Sequence, residues 1–305
     1  MSEWLDQLQN EIPALANAVR IEKILKGFST DEKYRIYLDH GENQLLRVFK
    51  LDQWEQKTVE YEILETIQTL GVKASSPIEL GMHQRLGIGY MILSYLEGED
   101  ARDVLAELST DEQQKIGYNA GRELAKMHQL SAPPSISSWF DRCVPKHRKY
   151  VKAYHDSSLR INHTDKILDF IEQHLPYLKE RPNRFLHDDF HVGNLIVHNR
   201  TYAGVIDFNR YDWGDPIHEF TKLAFFSRES SVPFCQGQIA GYFQKAGEID
   251  SFWILYSVYT AMAIFSSMVW TQRVVPALLD DMASRVNRII EEHHAFERTI
   301  PDWFS

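Results

Sequence analysis

The sequence predicts an α+β protein with a β-rich N-terminal lobe that contains one long helix, followed by a mainly helical C-terminal lobe. Apolar and polar residues alternate in short runs within residues 19–49 and 77–96, which is typical of half-buried strands. Between these two regions the apolar residues recur at helical spacing, and they do so again along most of the chain after residue 97. We therefore expect two domains, residues 1–97 and residues 98–305.

In the N-terminal lobe, three strand-like runs occur within residues 19–49, and the sequence DHGEN at residues 39–43 predicts a hairpin turn between the second and the third. Residues 53–70 predict the long helix, which should end at Gly71 because glycine readily adopts the left-handed conformation after a helix. Two further strands are predicted at residues 77–80 and 89–96. The apolar face of the helix consists of Trp54, Val59, Ile63, Leu64, Ile67 and Leu70.

The C-terminal lobe is predicted to be helical over residues 110–128, 146–155 and 164–178, and again towards the C-terminus. One region interrupts this pattern. Residues 185–208 predict a loop followed by a β-hairpin set among the helices. We therefore expect one functional loop within the helical lobe.

Residues 251–272 contain no charged side chain and are long enough to cross a membrane as a helix. A helix in the centre of a large helical domain has a similar composition, because it is apolar on most sides. The segment contains four Ser, two Thr, two Tyr and one Gln, and no Lys/Arg cluster flanks it in the sequence, which favours the buried helix. The membrane alternative predicts a protein that depends on detergent.

The 305 residues include 33 Lys and Arg against 43 Asp and Glu, which gives a formal net charge of −10. This acidic balance disfavours a protein that binds nucleic acid by neutralising phosphates, or one that lies on an anionic membrane surface. It is compatible with a cationic small-molecule partner. Two cysteines are too few for a disulfide framework, and the N-terminal sequence lacks the pattern of a signal peptide, so we expect a cytoplasmic protein.

Residues 185–220 carry the densest group of chemically active side chains, and the residues alone leave two interpretations open. In the first, His187, Asp188, Asp189 and His191 bind a metal ion as in a histidine/aspartate hydrolase, since imidazole and carboxylate groups bind divalent metals. Such a protein would purify with a transition metal. The further ligands of such a hydrolase have no identifiable spacing in this sequence.

In the second interpretation, the spacing H-x-D-x-x-x-x-N from His187 through Asp189 to Asn194 is that of a kinase catalytic loop, and Asp207 follows at the end of a later strand. Phosphoryl transfer requires a carboxylate that orients the attacking hydroxyl and accepts its proton, which is a role for Asp189. It also requires Mg²⁺ held by hard oxygen ligands, which Asn194 and Asp207 would supply.

This region resembles the aminoglycoside phosphotransferase family, which is related to choline kinase. HDDFHVGN at residues 187–194 is similar to the family motif His-Gly-Asp-x-His-x-Gly-Asn, with Asp188 in place of the first glycine. VIDFNRYDWGDPIHE at residues 205–219 is similar to the family's Ile-Asp and Gly-Asp-Pro motifs, with Asp207 as the metal ligand. The resemblance implies a two-lobed, protein-kinase-like fold that uses ATP or GTP with Mg²⁺. It also implies that three residues brace the catalytic loop, namely His187, Asp215 and Glu219.

The resemblance also implies that the N-terminal lobe binds the nucleotide. Arg47 stands where the family usually has a strand lysine that holds the α- and β-phosphates, and Glu60 in the following helix would be its partner. Because arginine and lysine differ in geometry, this departure predicts an altered nucleotide site. A phosphate-covering loop would lie at residues 26–31. The remaining nucleotide contacts would come from Ser29 and Thr30, and from the backbone at Ser94 and Leu96.

The acceptor is expected to be a small-molecule hydroxyl compound, and the resemblance implies an aminoglycoside first, with a role in antibiotic resistance. A macrolide, a choline-like alcohol or a sugar fits the same machinery. A cationic acceptor would be bound by acidic side chains, for which Asp212, Glu229 and Asp302 are the candidates. Because Arg47 replaces the usual lysine, a nucleotide-binding pseudokinase is a further alternative. We expect a monomer or a homodimer, with neither nucleic acid nor membrane as partner.

Overall fold

The computed structural model describes residues 8–9, 11–25, 31–243 and 251–304. The chain divides into two compact units, one of residues 1–98 with 203–209 and one of residues 99–202 with 210–305. The first unit thus takes one short segment, residues 203–209, from the second half of the chain. The predicted domain of residues 1–97 does not include this segment, which contains Asp207.

The first unit contains a five-stranded antiparallel sheet in the order β1-β2-β3-β5-β4. The predicted turn between the second and third strands is confirmed, since Gly41 has a positive φ of 89°, which glycine adopts without steric cost. Tyr34, Ile36 and Leu38 alternate along the second strand and pack into a hydrophobic core. The strands are β1 Ala18–Ile24, β2 Glu32–Leu38, β3 Asn43–Lys50, β4 Pro77–His83 and β5 Ile88–Ser94.

The predicted long helix is confirmed as α1, Trp54–Thr69, and the chain leaves it through Gly71 with a φ of 64°. The buried face of α1 differs from the predicted one. Val59 is 41% exposed, whereas Lys57 and Glu60 are almost completely buried. Burial of charged side chains requires partners of opposite charge, and these come from β3 and from the residue before β2.

The second unit is mainly helical. The predicted helix at residues 146–155 begins earlier, because Ser138 caps it by accepting the N–H of Asp141 at 3.2 Å. The helices are α2 Ala101–Val104, α3 Thr110–Met127, α4 Trp139–His155, α5 Thr164–His174, α6 Val232–Tyr242, α7 Phe252–Val274 and α8 Leu279–Glu292. The remaining strands are β6 Glu99–Asp100, β7 Arg184–Leu186, β8 Leu195–His198, β9 Thr201–Val205 and β10 Asp212–Gly214.

Helix α7 corresponds to the charge-free segment of the sequence. Within the described part of the chain it is the one helix that is long and apolar enough to cross a membrane. In the structure, 78% of its most apolar window is buried inside the protein, and Tyr256, Tyr259 and Phe265 lie in the core. This burial confirms the prediction of a central helix within the helical unit.

Helices α3 and α6 pack with their backbones in close contact. A Cβ atom at Gly117 would lie 2.0 Å from the carbonyl oxygen of Phe234, and one at Gly241 would lie 2.0 Å from that of Tyr118. Contacts this short are sterically forbidden. The two helices approach to this distance only because these positions carry no side chain.

Replacement of Gly117 by alanine is expected to lower the free energy of unfolding by about 1–3 kcal/mol, because the backbone of α6 would have to move to accommodate the methyl group. Urea unfolding followed by tryptophan fluorescence measures this change. Lys115→Ala is the matched control in the same helix, since Lys115 is exposed, and it should change the free energy by less than about 0.5 kcal/mol. Equal stability of the Gly117 variant and the wild type would contradict the close packing.

Candidate active site

The loop at residues 187–194 begins directly after β7 and ends directly before β8. Both flanking strands are paired within the second unit, β7 with β10 and β8 with β6. Phe185, Leu186 and Leu195 at the two ends of the loop are completely buried. The polar side chains of the loop are therefore held between fixed elements, which is how proteins commonly position functional residues.

Asp189 lies within this loop, with its side chain 20% exposed. Asn194 Nδ2 donates a hydrogen bond to the backbone oxygen of Asp189 at 2.9 Å and another to its Oδ2 at 3.2 Å. The other carboxylate oxygen, Oδ1, lies 3.4 Å from His191 Nε2 and 3.7 Å from Lys222 Nζ. The structure thus brings the predicted catalytic residue together with the predicted metal ligand Asn194. It also places the side chains of His191 and Lys222 beside the carboxylate.

These side chains keep the carboxyl group of Asp189 ionised. Burial by itself would raise the pKa of this carboxyl, but the hydrogen bond from His191 and the positive charge of Lys222 outweigh it and hold the pKa well below the usual 3.8. Near neutral pH, Asp189 is therefore a carboxylate. Lys222 is a site residue that the sequence motifs do not indicate, because it comes from a distant segment, directly before the short π-helix Leu223–Ser227.

The imidazole ring of His191 is fixed by its own hydrogen bonds. Its Nδ1 accepts the N–H of Gly193 at 3.0 Å and lies 3.4 Å from Nη2 of Arg102. Because Nδ1 acts as an acceptor, we assign the ring proton to Nε2, which faces Asp189. A Cβ atom at position 193 would lie 2.4 Å from Arg102 Nη2, so glycine leaves the space that the arginine occupies.

Glu219 supports the loop from a helical turn, Pro216–Phe220. It is completely buried, and its carboxylate oxygens accept the backbone N–H groups of Asp188 at 3.1 Å and of Phe190 at 3.3 Å. His187 adds a further support, since its Nδ1 accepts the N–H of Asp189 at 3.3 Å. The backbone of the loop is thereby fixed on both sides of Asp189.

Asp188 occupies the position of a glycine in the motif that the sequence resembles. Its φ is 58°, in the left-handed region that glycine adopts most easily. Aspartate tolerates this region better than most other residues, so the loop keeps its shape. The departure from the motif therefore leaves the hydrogen bond from the Asp188 N–H to Glu219 intact.

Asp215 supports Glu219 in turn. Its carboxylate accepts hydrogen bonds from Arg181 Nε at 2.7 Å, from the Tyr259 hydroxyl at 2.7 Å and from the N–H of Ile217 at 3.1 Å. The last of these caps the turn that carries Glu219. The structure thus places Glu219 against the loop, His187 at the first position of the loop, and Asp215 behind the turn that presents Glu219.

Burial and the negative charge of Asp188 raise the pKa of Glu219 from its usual 4.5 to about 7. The folded protein therefore holds the proton of Glu219 more tightly than the unfolded chain does. This contribution to the free energy of unfolding is complete below about pH 4.5 and is lost as the pH rises to about 7. Glu219→Gln removes the titration. The stability of the wild type relative to this variant should therefore fall by up to about 3 kcal/mol over that range, as measured by urea unfolding. A difference that does not depend on pH would contradict the raised pKa.

In the first unit, Arg47 of β3 and Glu60 of α1 are in direct contact. Two further charged side chains join them. Arg47 donates from Nε at 3.0 Å and from Nη2 at 2.5 Å to Asp31 Oδ2, and Lys57 Nζ lies 2.6 Å from the same oxygen and 3.2 Å from Glu60 Oε2. All four residues are buried, and we call them the charge cluster: Asp31, Arg47, Lys57 and Glu60.

The charge cluster contains two positive and two negative groups, so its buried charges are balanced. Burial by itself would raise the pKa of Asp31, but Arg47 and Lys57 outweigh it and keep this pKa below the usual 3.8. Asp31 ends the predicted phosphate-covering loop of residues 26–31, but neither Asp31 nor Lys57 is predicted as an individual nucleotide contact. For Lys57 a signal exists, since it lies three residues before Glu60 and therefore on the same face of α1.

The backbone predicted to meet adenine lies at the end of β5. The N–H groups of Ser94 and Tyr95 donate to backbone oxygens of the same unit, at 2.8 and 3.1 Å. The N–H of Ser94 is therefore already engaged within the first unit. The carbonyl of Ser94 and the backbone of Leu96 stay predicted contacts. The predicted nucleotide contacts Ser29 and Thr30 lie outside the described residues.

Asp207 follows β9 and has a φ of 71°. Its Oδ1 is buried and has no hydrogen-bond partner among the described residues. A buried carboxylate oxygen without a protein donor fits a ligand of Mg²⁺, which prefers hard oxygen atoms. Asp207 belongs to the first unit, whereas Asn194 belongs to the second. The part of the chain that the structure describes contains no group of three or more His, Cys, Asp or Glu side chains arranged to hold a metal ion.

Each of the three acids predicted to bind a cationic acceptor has a basic partner of its own. Arg142 Nη1 donates to Asp212 Oδ1 at 2.9 Å. Arg285 Nη2 lies 2.8 Å from Glu229 Oε1, and His294 Nε2 lies 2.9 Å from Asp302 Oδ2. A cationic acceptor would have to compete with these groups, so all three acids stay predictions without direct structural support.

A five-stranded antiparallel sheet with one long helix, together with a helical unit that carries an H-x-D-x-x-x-x-N loop, defines the class of protein-kinase-like phosphotransferases. The sequence agrees with this class, since a model of the phosphotransferase enzyme family matches residues 20–252. The chain belongs to this family. Membership confirms the resemblance to aminoglycoside phosphotransferases and favours the kinase interpretation of residues 187–194 over the hydrolase interpretation.

Solved structures of aminoglycoside phosphotransferases have the same fold. A mutant of aminoglycoside 2′-phosphotransferase-IIIa with GDP has a TM-score of 0.69 at 13% identity, over 96% of this chain and 98% of that chain. A thermostable APH(4)-Ia mutant with AMP-PNP and hygromycin B has a TM-score of 0.68 at 16% identity, and the match covers 94% of this chain and 97% of that chain. The streptomycin–ATP complex of APH(2″)-IIa has a TM-score of 0.65 at 15% identity, and the match covers 99% of this chain and 98% of that chain. This likeness confirms the predicted α+β, protein-kinase-like fold, whereas no curated protein sequence matches the chain.

Proposed function

We propose that the protein is an ATP- or GTP-dependent O-phosphotransferase that transfers the γ-phosphate of the nucleotide to a hydroxyl group of a small molecule. The observation that carries the proposal is the arrangement of Asp189, an ionised carboxylate that is oriented by Asn194 and flanked by His191 and Lys222. This arrangement favours an active enzyme over a nucleotide-binding pseudokinase. A carboxylate at this position serves the acceptor hydroxyl, and a protein that only binds nucleotide does not need it.

Asp189 would orient the acceptor hydroxyl towards the γ-phosphorus and take up its proton as the new O–P bond forms and the bond to the β-phosphate oxygen breaks. In a loose transition state the hydroxyl needs little activation, so orientation matters more than basicity. The lowered pKa of Asp189 is compatible with this role. Lys222 would place a positive charge beside the reacting groups, where it can stabilise developing negative charge.

Asn194 and Asp207 would hold Mg²⁺, which neutralises the phosphate oxygens of the nucleotide when it is bound. The buried Oδ1 of Asp207, which has no hydrogen-bond donor in the part of the chain that the structure describes, supports this assignment. Asn194 directs its amide nitrogen at Asp189, which leaves its amide oxygen for a metal ion. Arg47 and Glu60 would orient the nucleotide phosphates from the first unit.

An aminoglycoside is the first candidate acceptor, because the proteins of the same fold carry that name and two of their complexes contain hygromycin B and streptomycin. A less cationic acceptor, such as a macrolide or a sugar, is the second candidate. The observation that favours it is the pairing of Asp212, Glu229 and Asp302 with basic side chains, which leaves these acids less able to bind a polycation.

A screen of acceptors tests the proposed function. Formation of ADP and GDP is measured across aminoglycosides, macrolides, choline-type alcohols and sugars, with both nucleotides and with Mg²⁺. We expect at least one hydroxyl compound to accelerate nucleotide cleavage and to appear as its phosphate ester by mass spectrometry. Nucleotide binding that depends on Mg²⁺, without transfer to any compound of the panel, would instead identify a pseudokinase.

A further inference from the structure

One oxygen atom in the charge cluster accepts hydrogen bonds from three nitrogen atoms, which belong to two cationic side chains. Asp31 Oδ2 lies 3.0 Å from Nε and 2.5 Å from Nη2 of Arg47, and 2.6 Å from Nζ of Lys57. One edge of a guanidinium and the ammonium of a lysine are also the groups with which proteins bind phosphate oxygens. Asp31 therefore occupies a position that has the chemistry of a phosphate-binding site.

Charge balance limits what else can bind at this position. The side chains of the charge cluster are only 1% to 5% exposed, and its two cations neutralise its two carboxylates. A phosphate group that bound to Arg47 and Lys57 while both carboxylates stayed in place would leave excess negative charge in a buried site, which is strongly unfavourable. One carboxylate therefore has to leave when a phosphate binds there.

Asp31 is the carboxylate that can leave. Glu60 lies in the interior of α1, where the hydrogen bonds of the helix fix its backbone. Asp31 lies outside the regular elements, directly before β2. The residue pairs that join β2 to its neighbours begin at Glu32, so backbone and side-chain torsion angles of Asp31 could both change while that pairing is kept.

We propose that Asp31 occupies a phosphate position on Arg47 and Lys57 in the nucleotide-free protein, and that a nucleoside triphosphate displaces it. Lys57 is then a second phosphate-binding cation beside Arg47. This role for Asp31 rests on the proposed nucleotide-dependent function. As a competitor, Asp31 weakens nucleotide binding, whereas a residue that only held Arg47 in place would strengthen it.

The variant Asp31→Asn tests whether removal of the carboxylate strengthens or weakens nucleotide binding. Titration calorimetry compares the wild type and the variant with ATP, with GTP and with inorganic tripolyphosphate, without added metal. If Asp31 holds the cations in about nine-tenths of the free molecules, removal of this competitor tightens binding about tenfold. Asp31→Glu keeps a competing carboxylate and is expected to gain nothing. Asp156→Asn, in the exposed pair with Lys152, controls for the loss of one negative charge.

Unchanged or weaker binding by Asp31→Asn would overturn the role of Asp31. A wild-type protein that binds tripolyphosphate but neither nucleotide would overturn the proposed function, while the two tripolyphosphate affinities would still decide whether Asp31 competes. If Asp31→Asn does not fold by itself, recovery of its thermal unfolding transition on addition of tripolyphosphate supports the proposal, because the anion then replaces the carboxylate. Failure to recover with tripolyphosphate counts against it.

Discussion

Asp189→Asn is expected to lower kcat by about 100- to 10,000-fold, while the Kd for the nucleotide stays within about twofold of the wild-type value. The amide keeps the shape of the side chain and can keep its contact with Asn194. It can neither accept the proton of the acceptor nor carry the negative charge that faces His191 and Lys222. Rates of ADP formation with a known acceptor give kcat, and titration calorimetry gives Kd. Full turnover by this variant would show that another group takes the proton.

Asp188→Asn is the matched control, since it makes the same change one residue earlier. Asp188 contacts Glu219 through its backbone N–H, which the substitution retains, and asparagine also tolerates a φ of 58°. This variant should keep most of the turnover. A loss as large as that of Asp189→Asn would point to general damage to the loop rather than to the loss of a proton acceptor.

Arg47→Met is expected to lower the free energy of unfolding by about 3–5 kcal/mol and to weaken nucleotide binding about tenfold or more. The substitution leaves Asp31 and Glu60 buried with Lys57 as their only partner in the charge cluster. A buried carboxylate without a compensating charge is strongly destabilising. Urea unfolding measures the stability, and titration calorimetry measures the affinity.

Arg47→Lys separates the charge of Arg47 from its shape. It retains the positive charge but cannot bind two carboxylates with a planar fork, so its effects on stability and affinity should lie between those of the wild type and of Arg47→Met. If the two variants were equally unstable, the shape of the guanidinium would hold the cluster together. A wild-type stability of Arg47→Met would contradict the burial of the cluster.

The local geometry of the loop at residues 187–194 can be predicted from the sequence, because most of the contacts that define it join residues close together in the chain. Asn194 reaches Asp189 five residues away, and His187 and Glu219 fix the backbone around it. The spacing H-x-D-x-x-x-x-N encodes the first of these contacts directly. Glu219 is more distant, but it lies in a second motif whose order along the chain is recognisable.

The charge cluster cannot be predicted in the same way, because Asp31 and Lys57 are residue types that normally lie on protein surfaces. The apolar periodicity of α1 favours Val59 as a buried position, yet Val59 is exposed and Lys57 is buried. The cluster exists only when α1, β3 and the residue before β2 come together. Lys222 escapes prediction for the same reason, since nothing near it in the sequence indicates that it faces Asp189.

The close contact between α3 and α6 joins residues 117 and 234, and the catalytic loop with its supports lies between them in the chain. During synthesis α3 therefore emerges from the ribosome long before the helix on which it packs. Contacts between residues so distant in sequence form late, because a long chain segment has to be closed first. A ribosome that stalled before α6 would hold a nascent chain that contains every predicted catalytic residue. This chain would lack the helix that packs against α3 at Gly117.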